Sequence, residues 1–140
     1  MYELLLTVHS SLRWAVLVLL VVQLLAGPRW ARGPFWLVLV ADLQVTLGAV
    51  LWLFVSPLMH LAVSQGLLFS GGLFTFFGLF HPTVMLVALT WLHVGKVRLK
   101  RSQDWRCWRN DVRVAFALIL LAIPWPFWSF GRALFRGVAA

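Results

Sequence analysis

Few side chains in this sequence can do chemistry, and they lie at long intervals: His9, Arg13, Asp42, Gln44, His60, His81, His93 and Cys107. Imidazole is the most versatile group in the set, because it ligates metals, carries protons and hydrogen-bonds at either ring nitrogen. His9, His81 and His93 sit in long apolar runs, where an ionisable group must find a partner or a task. Arg13 follows His9 by four residues, which is one helical face. Cys107 is the single cysteine; it gives no zinc-site spacing and reads as a free thiol on the cytoplasmic side. No nucleophile has a base at a spacing that would activate it, so no enzymatic activity is expected of the chain on its own.

The elements that must position these residues are membrane spans. The chain has 140 residues, of which 62% are hydrophobic and 11% charged, and its mean hydropathy is +0.91. A soluble domain is about half apolar and roughly a quarter charged. Nine tryptophans suit the headgroup level. A net charge of +8 in a soluble chain would point to nucleic acid. Here most of the charge gathers between Lys96 and Arg113, where a membrane protein needs cytoplasmic positives, so no nucleic-acid partner is expected.

Four spans are predicted, at about 4–26, 35–55, 76–99 and 112–130, in one all-α domain covering 1–140. No Lys or Arg precedes the first run and no cleavage site follows it, so it reads as a retained span rather than a signal peptide. Gly27-Pro28, Gly33-Pro34 and Ser56-Pro57 punctuate the first two spans. The run from Gly66 to Leu99 is too long for one ordinary span, which predicts an extra interfacial or re-entrant segment before the third. The fourth span is expected to be capped by Asn110 or Asp111 and bent by Pro124 and Pro126. Arg29, Arg32 and the 96–113 loop carry far more positives than Arg132 and Arg136 on the other side. The expected topology is therefore a four-helix transmembrane bundle with both termini periplasmic and the basic loop cytoplasmic, in a bacterial inner membrane.

Depth then sorts the polar residues into two layers. His9 and His81 fall at a similar outer level, with His60 near them, and Asp42 and His93 fall on the inner side with Gln44 close by. His81 and His93 are roughly 18 Å apart along a helix and do not share a metal. Facing imidazoles on neighbouring spans suit haem iron, with Arg13 near a propionate or a quinone oxygen. The same residues also serve as interhelical hydrogen-bonding groups without any cofactor. A copper or zinc site from His9, His60 and His81 is a further alternative. The Asp42/His93 pair suits either a proton relay or a polar contact.

His9-Ser10-x-x-Arg13-Trp14, Gln44-x-x-x-Gly48, Ser56-Pro57, His81-Pro82-Thr83-Val84-Met85, Gly95-Lys96 and Ile123-Pro124-Trp125-Pro126 resemble the pattern of a family of small bacterial four-span membrane proteins, sometimes labelled cytochrome b-like. The resemblance covers nearly the whole chain. Two positions depart from it: Phe80 stands where the family often has Glu, and Asp42 where it often has His. The resemblance implies a four-span fold and marks His9, Arg13 and His81. The expected function is a small b-type haem protein or haem-bearing subunit in electron transfer near the periplasmic face. His9 and His81 would be axial ligands of haem b, and quinone a further candidate partner. The alternative is a cofactor-free accessory subunit that packs against a larger respiratory or photosynthetic complex, in contact with lipid and protein partners.

Overall fold

The computed structural model describes residues 1–129 and Gly131; Phe130, Arg132 and Arg136 lie outside the described residues. It is helical, with no strand among the described residues. The Leu- and Val-rich first run forms α1 (Tyr2–Ala26), which ends where Gly27 takes φ +52°. Pro34, in the first turn, needs no backbone donor and starts α2 (Gly33–Val50), which passes into a π-helical turn, Leu51–Val55. Ser56 then caps α3 (Pro57–Ser64) by accepting the Met59 N–H. After a turn at Gly66 come α4 (Gly72–Thr75), a second π-helical turn (Phe76–Phe80) and α5 (His81–Ser102). The last element among the described residues is α6 (Trp105–Ala122).

The four long helices close a ring: α1 packs on α2, α2 on α5, α5 on α6, and α6 back on α1. Leu20, Leu37, Val38, Leu92, Trp108 and Val112 are buried at its centre. Trp108 donates its indole N–H to Gln23 Oε1 at 2.8 Å, which ties α6 to α1 in the core. Among the described residues three helical segments are long and apolar enough to cross a membrane: Tyr2–Trp30, Gly33–Val55 and Gly72–Ser102. By contrast, α6 is amphipathic. It buries Trp108, Asp111, Val112, Ala115, Ile119 and Ala122 at helical spacing and carries Arg106, Arg109 and Arg113 in its first half.

Several expectations need correction. The connection at 57–65 holds the short helix α3, and the interfacial or re-entrant segment expected from Gly66 is not separate from the third span over its later part: from Gly72 onward it runs into α5 as a single helical segment. The 96–113 region is not a loop, because α5 and α6 are joined by Gln103 and Asp104 alone. The cap of α6 is Asp104, whose carboxylate accepts the N–H groups of Arg106 and Cys107 at 2.8 and 3.3 Å. Asn110 and Asp111 are already inside the helix, and Asp111 is buried against Arg98 of α5. Pro124 and Pro126 do not bend a helix; Pro124 forces Ile123 into extended backbone (ψ 131°) and ends α6 at Ala122.

Candidate functional site

A proline in or just after a helix leaves the carbonyl four residues earlier without its helical donor. Three such carbonyls occur among the described residues, and in each case a side chain supplies the missing donor. Pro82 strips the donor from Gly78, and Trp52 Nε1–H of the first π-turn donates to the Gly78 carbonyl at 3.2 Å. Pro124 strips it from Leu120, and Trp125 Nε1–H donates there at 2.8 Å. Pro126 strips it from Ala122, and His81 Nδ1–H donates there at 2.7 Å. Both π-helical turns lie at this level, as π-turns often do near functional sites.

The cavity holds about 640 Å³ and is lined by His9 and Arg13 of α1, Gln44 and Gly48 of α2, Trp52 of the first π-turn, Ser56, Met59 of α3, Gly78 of the second π-turn, His81 and Met85 of α5, and Ile123 and Pro124. The two imidazoles face each other across it, with ring centroids 6.5 Å apart at an interplanar angle of 76°. Both use Nδ1 as donor to a backbone carbonyl: His9 to Gln44 at 3.1 Å, and His81 to Ala122. That choice leaves Nε2 as the lone-pair nitrogen of each ring, the tautomer that protein-bound metals select. The Gln44 amide donates to His9 Nε2 at 3.3 Å. Gly48 lets the His9 ring lie against α2, since a Cβ there would come within 2.9 Å of His9 Cε1.

The remaining residues divide between this cavity and other places. Arg13 lines it, and its guanidinium also lies over the Trp14 ring, 5.3 Å from the centroid. Gln44 belongs with His9 and not with Asp42: two residues along a helix turn the side chain by about 200°. Asp42 instead points outward and accepts from His93 Nε2 at 2.8 Å. His60 is exposed on α3 and does not line the cavity with His9 and His81. Among the described residues no group of three or more His, Cys, Asp or Glu side chains converges to hold a metal. Cys107 is exposed, and its thiol donates to Asp104 Oδ2 at 3.2 Å.

Sequence reasoning missed Trp52 and the two carbonyls that anchor the imidazoles, and named Gly48 only through the resemblance. The signal for Ala122 is there, because Pro126 stands four residues on. Nothing in the sequence pairs that carbonyl with His81. Comparisons with protein-family models, with characterised proteins and with solved structures find no match for this chain.

Proposed function

We propose that the chain is a four-span bacterial inner-membrane protein that holds one haem b between His9 and His81 and passes electrons near the outer face. Its termini lie on the periplasmic side, and the α5–α6 connection lies in the cytoplasm. The observation that carries this reading is the matched pair of rings: each imidazole is fixed through Nδ1 by a backbone carbonyl, and both line one cavity. Hydrogen bonds from Nδ1 to a carbonyl orient histidine ligands and raise their basicity. A cavity of about 640 Å³ is within the size range of cofactor sites. The resemblance to cytochrome b-like proteins points the same way.

When bound, haem supplies one-electron exchange at its iron. The chain's own residues would hold and insulate it. The Gln44 and Ala122 carbonyls keep the two rings from rotating. Binding would require the Gln44 amide to give up its 3.3 Å bond to His9 Nε2. Arg13 is the one Lys or Arg lining the cavity among the described residues and would balance negative charge there. Met59, Met85 and Ile123 keep the walls apolar, which favours electron exchange over side reactions with water.

A second reading rests on the same bonds. His9 already ties α1 to α2, and His81 already ties α5 to the end of α6. In an accessory subunit without cofactor these contacts would serve as interhelical hydrogen bonds alone. Reduced-minus-oxidised visible spectra of the purified protein separate the two. The haem reading expects a sharp band in wild type that is lost in His9→Ala and in His81→Ala. A colourless wild type with no bound iron leaves the accessory subunit.

A further inference from the structure

The Asp42–His93 pair sits on the wrong side of the bundle for a buried ionisable contact. The side chains are 41% and 50% exposed and join α2 to α5 across their outer faces. Along the apolar segments they lie one to two turns in from the basic end, His93 being three residues before Lys96 in α5. The Lys96 ammonium reaches the ring of Phe35, 5.2 Å from its centroid, which marks the basic end of the bundle. Asp42 lies seven residues farther along α2, roughly 10 Å toward the middle of the segment. Ionisable side chains at such depth face a bundle interior or a wet cavity, because lipid solvates them poorly. This pair does neither within one chain. Thr46, one turn from Asp42, and Thr90, one turn from His93, are exposed beside it. Small hydroxyl side chains of this kind line the contacts between membrane helices.

We infer that this face is covered by a second copy of the same chain, with Asp42 of each protomer meeting His93 of the other. The occupant follows from the chemistry of the pair. Each protomer presents one acid and one base at one level, and a twofold axis between them sets acid against base twice. A different partner would have to bring its own donor and acceptor at matching spacing. A second copy brings both by symmetry, and the assembled cluster of two acids and two bases gathers no excess of either charge. The inference rests on the membrane placement proposed above and not on the cofactor.

The test uses single cysteines in the full chain with Cys107→Ser as background. Thr46→Cys and Thr90→Cys report on the proposed face, and Val18→Cys reports on the exposed face of α1. Isolated membranes are oxidised with copper phenanthroline and resolved by mass. Dimer bands are expected at positions 46 and 90 and not at 18, with loss of both in Asp42→Ala. The exchange Asp42→His with His93→Asp preserves the complementarity and is expected to keep the bands, even where Asp42→Ala folds poorly. Crosslinking no stronger at 46 and 90 than at 18 would overturn the inference, as would adducts of another mass or loss of the bands in the exchanged variant.

Discussion

Gly48 is where a single methyl group reports most about His9. A Cβ at this position would come within 2.9 Å of His9 Cε1, so either the ring or α2 must shift. Overpacking of this kind costs about 1–3 kcal/mol. Gly48→Ala is therefore expected to lower the melting temperature in detergent and to weaken whatever visible band wild type carries. Gly48→Val should do both more strongly. An unchanged melting curve in both variants would show that the packing of His9 on α2 carries no weight. Two other glycines accommodate polar side chains in the same way: Gly33 lies against the Gln23 amide, and Gly95 against the Asp111 carboxylate. Small residues at these points let polar groups reach the core while the helices stay close.

At the scale of elements, the prolines set where the helices stop offering bonds to themselves. Replacing Pro124 and Pro126 by Ala returns two backbone donors and lets α6 continue past Ala122. The helix would then satisfy the Ala122 carbonyl that His81 now uses. Nitrogen-15 spectra are expected to show His81 losing its fixed Nδ1–H tautomer, while His9, held by Gln44, keeps its own. Retention of the His81 tautomer would refute this account of the proline pair. The element pattern was partly readable beforehand. Apolar run lengths located α1, α2 and α5, because burial in lipid or core requires such runs. Boundaries were less readable where two signals compete. Asp104, Asn110 and Asp111 all suit a cap, and the choice depends on Asp111 finding Arg98 across the hairpin. The site showed the same split. Depth alone placed His9 beside His81, but depth says nothing of direction around a helix, so Gln44 was set with Asp42.

For the whole molecule, orientation is the property that Cys107 can report. A membrane-impermeant maleimide should label it in inside-out vesicles and not in right-side-out ones. Labelling will be slow at neutral pH, because the bond to the Asp104 carboxylate holds the Cys107 thiol above its usual range and keeps it protonated. The same bond, with the two backbone donors, holds Asp104 below the ordinary carboxylate range. Its contribution to the α6 cap is thus present at neutral pH and fades only as pH falls through that lowered value. Asp104→Asn should speed labelling without changing its sidedness. Labelling from the outer face would invert the proposed topology.

The two-residue link between α5 and α6 bears on how the chain enters its membrane. Read alone, α6 is a poor stop for a ribosome-bound chain passing the insertion channel, since its leading half carries Arg106, Arg109, Asp111 and Arg113. Its neighbour is long and oily, and Arg98 there already answers Asp111. On the proposed topology the two would leave the channel together as a preassembled hairpin, with the stronger segment chaperoning the weaker one.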